Sequence, residues 1–496
     1  MSFFNFFLFA ICLAGTGAAV RWMAAPWGWL IGACSIALGL FALLSRETKS
    51  AFVAVLKGLR WKRSQFCRGW LITGDTGSGK TSSGINQLAH QVFRNEPRWG
   101  GLCIDEKGVY WETLKAMAAH YGRSHDLVHI QIRPDDAAAA WTPEHRLNLT
   151  GKREIPFTTY AKFVVDTATS LGQGGDKGFF KSQAQTHIAY ALELELLFEL
   201  RRPVTLAGAF ELLSDRAELE DAIESLGDLM PAPRRMAVVE HFSNRFLPQP
   251  DEQLGGVRET IGNYLQYFLT PEVAEIFCQP DSTFDMADVD TGKILCITMS
   301  QKFQTERRYV NTFLKLLFYN HALRRFDKPK AERAQDNLII LWADEAQRFM
   351  TASEDGTSDY NVVDVIREAG ATIIAAAQST TSFLPPLGSD KSRVLTLNLR
   401  NRMIFRAADE ADAVQAADFL GKKRVVKRSW GYTAGKQTTN YSETEEHKIK
   451  PHKLRNLRDH ECVMVHCERG FRRVTLPPLD ADGRVSKWFP WWRRVM

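Results

Sequence analysis

Along the chain, apolar and polar positions change rhythm three times. Residues 1–20 carry no charge, Arg21 interrupts, and residues 22–45 again carry none. Each run is about as long as the roughly 20 residues that cross a bilayer, so the pattern predicts two membrane-spanning segments within an anchor at 1–48. A cleaved signal peptide is the competing reading of residues 1–20, which lack the basic leader such peptides carry. From residue 70 to 135 the rhythm alternates. The apolar "WLIT" leads into a glycine turn, and Ile85, Leu88, Ala89 and Val92 then recur at helical spacing. "GGLCIDEKG" reads as a short buried strand ending in charges, and "LVHIQIRP" sets Val128, Ile130 and Ile132 on one face. Such alternation predicts an α/β domain with a mostly parallel sheet and helices on both sides.

Over residues 181–270 the alternation stops. Stretches such as "THIAYALELELLFELRR" and "VRETIGNYLQYFL" read as consecutive helices, an all-α domain inserted into the α/β domain of 49–180 and 271–480. Strand patterns then return in "GKILCITMS", "NLIILWADE", "ATIIAAAQS", "NRMIFRA" and "ECVMVHC". The polar stretch 429–447 reads as a mobile loop or a hairpin, and residues 481–496 as a tail in which Trp mixes with Arg.

Composition changes this picture little; the distribution of charge changes it more. The net charge is only +6, but residues 421–460 hold eleven Lys or Arg against four Asp or Glu, a local +7 that leaves the remainder near neutral. Arg46, Lys49, Lys57, Arg60, Lys62 and Arg63 follow the second apolar run, and the positive-inside rule places that side in the cytoplasm. Eight cysteines without a CxxC pair read as thiols of a reducing compartment rather than a zinc site.

The chemistry begins at residue 74. Gly74, Asp75, Thr76, Gly77, Ser78, Gly79, Lys80 and Thr81 match G-x-x-x-x-G-K-[ST] in full, between an apolar strand and an amphipathic helix. Backbone N–H groups of such a turn cradle the β-phosphate of a nucleotide. Lys80 can reach the β/γ oxygens, and the Thr81 hydroxyl can ligate Mg²⁺. The apolar run Leu338–Trp342 ends in Asp344, suited to hold Mg²⁺, and Glu345, suited to polarise the attacking water. Gln378 ends the next strand as a γ-phosphate sensor or a plain polar strand end. Arg367 is an arginine finger toward a neighbouring subunit's ATP or a surface salt-bridge residue. Lys422, Lys423, Arg424, Lys427 and Arg428 suit contact with a polyanion, or form a solvated face; Trp430 and Tyr432 beside them could stack on bases.

In their order, these stretches resemble the type IV coupling proteins of conjugation and type IV secretion, the TraG/TraD-like ATPases. The likeness rests on "LITGDTGSGKT", "CIDEKGVYWE", "EHRLNL", "ETIGNYLQYFLTPEVAEIF", "LWADEAQRF", "IREAGATIIAAAQS" and "LRNRMIFRAADEADA", over roughly residues 65–480. It implies a RecA-like P-loop NTPase domain with an all-α insertion, and an inner-membrane, multi-pass homo-hexamer with ATP and Mg²⁺ at subunit interfaces. It also implies a pump that passes single-stranded DNA and its attached relaxase to a secretion channel. By motif position, Lys80 and Thr81 would bind ATP·Mg²⁺, Asp344 and Glu345 form the acidic pair, Gln378 is the sensor and Arg367 the finger. Two departures stand out: "DEKGV" lacks the family's proline and final glutamate, and almost nothing separates the two membrane segments. Two further readings remain open from the residues alone, a double-stranded DNA pump of the FtsK/HerA type and an ATP-binding receptor that recruits protein substrates.

Overall fold

The computed structural model of the protein describes residues 52–490, apart from 139, 153, 173–177, 199–203, 227–231, 355 and 434–435. The two apolar N-terminal segments lie outside the described residues; among those described, no helix is long and apolar enough to cross a membrane.

A short hairpin, β1 (Ala54–Leu56) and β2 (Leu59–Trp61), precedes the main sheet. The sheet is built from β3 (Trp70–Thr73), β4 (Gly100–Asp105), β5 (Leu127–Gln131), β6 (Ile294–Thr298), β7 (Ile339–Asp344), β8 (Ala371–Ala377) and β9 (Asn401–Ile404). After β9 the chain leaves for a separate ribbon, β10 (Lys422–Thr433) and β11 (Lys436–His447). It returns as β12 (Glu461–His466) and β13 (Gly470–Thr475). Across the sheet the order is β13-β12-β9-β3-β8-β7-β4-β6-β5. The strands from β9 to β5 in that order pair in parallel, and β12 and β13 close one edge in antiparallel fashion.

Continuous apolar strands are what a sheet covered on both faces requires, and β7 shows how the coverage is divided. Ile339, Leu341 and Ala343 enter one core, while Leu338, Ile340 and Trp342 enter the other. On the Leu338 side lie Leu88, Ala89 and Val92 of helix α1 (Asn86–Asn95), with Leu114 and Met117 of α2 (Tyr110–His120).

The other face is covered by the helical layer: α3 (Phe157–Ser170), α4 (Gly178–Phe198), α5 (Leu206–Ser214), α6 (Arg216–Glu224), α7 (Ala232–His241), α8 (Asp251–Leu265), α9 (Pro271–Phe277) and α10 (Gln304–Arg324). The first seven follow one another between β5 and β6, so the helical stretch runs from Phe157 to Phe277, longer at both ends than 181–270. Phe157, Tyr160, Phe163 and Val164 fall on one face of α3 and are buried, Phe163 edge-on to Phe313 of α10. The core of this layer is continuous with that under the sheet, since Leu192, Leu212 and Val257 belong to the same apolar cluster as Leu341 and Ile373.

The stretch expected as a mobile loop or hairpin is part of a paired ribbon that starts at Lys422, seven residues earlier, with Lys422 opposite His447.

Candidate active site

All strands from β9 to β5 end on one edge of the sheet, where ligands of open α/β folds bind. Strand β3, buried along its whole length, delivers the glycine turn there. Gly77 and Gly79 take the left-handed φ values of 77° and 105°, which cost an L side chain roughly 1–2 kcal/mol. At Gly79 an added Cβ would also stand 2.8 Å from His460 Nδ1. The turn is fixed from outside by the Asp75 N–H, which donates to the Arg406 carbonyl at 2.8 Å, and from within by the Ser83 and Gly84 N–H groups, which donate to the Gly79 carbonyl. Residues Lys80–Ile85 form a π-helical turn that leads into α1. The buried Lys80 ammonium donates to the carbonyls of Gly74 (2.6 Å) and Asp75 (3.2 Å). Burial lowers the Lys80 pKa, while the charges of Glu345, Asp344 and Asp75 act in the opposite direction.

Strand β7 brings its acids to the same place across the end of β8. The Thr81 hydroxyl donates to Asp344 Oδ2 at 3.0 Å, joining residues 263 positions apart. Asp344 pairs in register with Asp105 of β4. Burial first, then the charges of Asp105 and Glu345, push the Asp344 carboxyl up to about 6, against the lowering effect of its bond from Thr81. Glu345 stands in the left-handed region at φ 52°. For a residue other than glycine, such strain is typical of functional sites. Its own N–H donates to Asp344 Oδ1 (3.0 Å) and its carboxylate accepts from Gln347 (2.7 Å). Gln378 follows β8 between the two: its carbonyl accepts the Gly74 N–H at 3.1 Å and its side chain is exposed.

Lys80, Thr81, Asp344, Glu345 and Gln378 thus share one edge. Arg367 does not join them. It precedes β8 in the turn Ile366–Ala369, at the opposite edge, and is exposed, 3.9 Å from Glu368. The length of β8, about 23 Å at roughly 3.3 Å per residue, separates it from the glycine turn of its own chain. The basic residues 422–428 lie on β10, exposed and divided between its faces: Lys422, Arg424 and Arg428 on one, Lys423 and Lys427 on the other.

Of four further neighbours of the site, the sequence reading met Asp105 only as part of "DEKGV", without a role, and passed over Glu106, Arg406 and His460. Asp105 accepts N–H bonds from Lys107 (3.0 Å), Val109 (2.9 Å) and Tyr110 (3.0 Å), so it caps the start of α2 while loading the Asp344 environment with charge. The strand pattern "GLCID" carried that signal, a second apolar run ending in an acid. Glu106 is clamped by Arg308 and Gln304. Arg406 bridges Asp459 (2.7 Å) and Asp75 (3.6 Å). His460 shares a 2.7 Å hydrogen bond with Ser83. No spacing rule links these last three to the glycine turn, because their partners are far away in sequence.

Lys80, the Thr81 hydroxyl and the Asp344 carboxylate form a donor set for a phosphate chain with a divalent cation. Among the described residues, no group of three or more His, Cys, Asp or Glu could hold a metal by itself. Mg²⁺ is commonly held by one or two protein oxygens and completed by phosphate and water, and the Thr81 hydroxyl and Asp344 carboxylate are two such oxygens. A crowd of carboxylates that raises the Asp344 pKa is also a site that a cation would relieve.

Residues 55–477 match the family model described as the type IV secretion-system coupling protein DNA-binding domain. No curated protein matches the chain. Among solved structures, the bacterial conjugative coupling protein TrwBdeltaN70 in an unbound monoclinic form is similar with a TM-score of 0.61 and 17% identity, covering 91% of this chain and 93% of that one. Plasmid coupling protein TrwB in complex with ADP and Mg²⁺ is similar with a TM-score of 0.59 and 15% identity, covering 91% and 94%. At these identities the likeness concerns the fold.

Proposed function

This chain belongs to the type IV secretion-system coupling proteins, and from that premise we propose that it is an ATP-hydrolysing motor that feeds single-stranded DNA to a secretion channel. The observation that carries the reading is the convergence of Lys80, Thr81, Asp344 and the strained Glu345 at the carboxyl edge of the sheet. In this reading the β/γ-phosphate oxygens replace the Gly74 and Asp75 carbonyls as acceptors for Lys80. Thr81 and Asp344 hold Mg²⁺, which supplies charge neutralisation on the phosphates. Glu345 orients a water against the γ-phosphate, and Gln378 reports its loss to β8. The TrwB structures described as complexes with ADP and Mg²⁺ and with an ATP analogue support ATP and Mg²⁺ as the cofactors.

DNA contact is assigned to the ribbon. Its face carrying Arg424 and Arg428 also presents Val426, Trp430 and Tyr441, all more than half exposed. Arg428 lies 3.9 Å above the Trp430 ring. Cations beside exposed aromatic faces are the ingredients of single-strand binding, phosphate contact plus base stacking. Lys427 and Lys422 are partly engaged with Glu446 and Asp418, which leaves Arg424 and Arg428 as the stronger contributors. Residues 1–48 would anchor the motor in the inner membrane, six copies would close a ring, and the relaxase bound to the DNA and the channel components would be its partners.

The test is ATP hydrolysis by the full chain in detergent with no DNA, single-stranded DNA or blunt duplex. Single strands should stimulate turnover. Glu345→Gln should retain ATP affinity and lose at least about 10²-fold in kcat, the scale of a lost general base. Stimulation by duplex alone would transfer the chain to the double-stranded pumps, and binding without turnover would leave a receptor.

A further inference from the structure

If the chain is the ATPase proposed above, the strand order fixes the direction in which its nucleotide lies. Strand β7 stands two places to one side of β3, and β12 two places to the other. The γ-phosphate must face Asp344 and Glu345 at the end of β7, and the glycine turn after β3 cradles the phosphates. The sugar and base therefore trail toward β9 and β12.

His460, which precedes β12, closes that side. Its N–H donates to the Ser78 carbonyl at 2.8 Å, and its ring fills the space beside Gly79. It sits at the left-handed φ of 66°, a conformation that an L residue keeps only when its surroundings enforce it. Beyond β13 the chain returns to the same place as a strap. The Leu476 N–H donates to the His460 carbonyl (2.8 Å), and the Leu479 N–H to the Ser82 carbonyl (3.2 Å). Gln87 donates to the Pro477 carbonyl (2.8 Å), and His90 is bonded to that of Asp480 (2.9 Å). The strap is thus bonded to the helix that starts in the phosphate cradle.

At its end Phe489 is buried edge-on to His460, with ring centroids 5.4 Å apart. Trp488, 5.3 Å from His460, is 66% exposed. A large aromatic held open beside a buried partner, on elements bonded to the cradle, is a preformed stacking surface. We infer that Trp488, backed by His460, is the shelf on which the purine base of the nucleotide stacks. Stacking needs only the π face of the base, so the shelf takes adenine and guanine nucleotides alike.

Competition against a fluorescent ADP analogue on the full chain separates the base from the phosphates. ATP and inorganic tripolyphosphate are the two competitors, and Trp488→Ala, Trp488→Phe and Lys80→Ala are the variants. Trp488→Ala should weaken ATP about ten-fold and leave tripolyphosphate unchanged, while Trp488→Phe keeps most of the ATP affinity. Equal weakening of both competitors in Trp488→Ala would make the strap a brace for the cradle and overturn the inference, as would no weakening of either. Lys80→Ala should weaken both competitors. Wild-type protein that binds neither would overturn the ATPase reading itself, and this inference with it.

Discussion

Lys315 and Asp359 are both fully buried, and their contact ties helix α10 to the segment after the strained Glu345. Lys315 also donates to the Phe349 carbonyl. Asp359 accepts from the Thr351 N–H (2.8 Å) and the Tyr319 hydroxyl (2.7 Å). An ion pair of this kind need not add net stability, but removing one partner leaves a buried charge and typically costs about 3–5 kcal/mol. Lys315→Met should therefore destabilise the protein by about that amount in urea unfolding, and Lys315→Met with Asp359→Leu by clearly less. A double variant as unstable as the single would show that the cost lies in packing and not in the orphaned carboxylate. Because the pair anchors the segment that follows Glu345 through Phe349 and Thr351, the single variant should also lower kcat at temperatures where it remains folded.

Helices α4 and α7 meet through His187 and His241, whose ring nitrogens lie 2.9 Å apart, with Tyr190 stacked on His241 at 3.8 Å. Burial, with the charge of the other ring, pushes His187 down to about 3; burial, with Arg245 nearby, takes His241 to about 4. Unfolded histidines titrate near 6.5. Below that pH the unfolded chain takes up protons that the folded one refuses, so stability falls with decreasing pH by up to about 1.4 kcal/mol per unit and histidine until pH nears 4. The melting temperature should drop between pH 7 and 5 more steeply in the wild type than in His187→Gln/His241→Gln; parallel curves would remove the pair from the account. The ribbon offers a second test at this scale. Trp430→Ala with Tyr441→Ala should weaken single-strand binding by about 1–3 kcal/mol for each base unstacked, with ATP affinity unaltered; unchanged DNA affinity would return the ribbon to a solvated hairpin.

Elements were legible in the sequence where period and polarity agreed. The β7 run and the glycine turn are visible because a strand covered on both faces must be apolar throughout and a phosphate cradle must be glycine-rich. The histidine pair, the Glu106–Arg308 clamp and the strap were not, since each depends on side chains that only tertiary folding brings together. Helix α3 lay outside the stretch read as helical, although Phe157, Tyr160, Phe163 and Val164 recur at helical spacing.

At the scale of the whole molecule, the position of Arg367 limits the part it can play. It lies beyond the amino end of β8, on the far edge of the sheet from its own Glu345. Any part it plays in hydrolysis must therefore be played in a neighbour's site, the arrangement of a head-to-tail ring. Two inactive variants test this together. Glu345→Gln keeps the arginine and loses the acid; Arg367→Ala keeps the acid and loses the arginine. Each alone should lose at least about 10²-fold in kcat, the scale of one lost transition-state charge contact. Mixed in equal amounts under conditions that allow subunit exchange, an Arg367→Ala site next to a Glu345→Gln neighbour has both groups again. With random mixing this holds at roughly a quarter of the interfaces of a heterologous ring. Recovery toward that fraction of wild-type turnover would place Arg367 across the interface. A mixture as inactive as its parts, shown by crosslinking to contain mixed assemblies, would remove Arg367 from the neighbour's site, and an Arg367→Ala variant as active as the wild type would return it to an ordinary surface arginine.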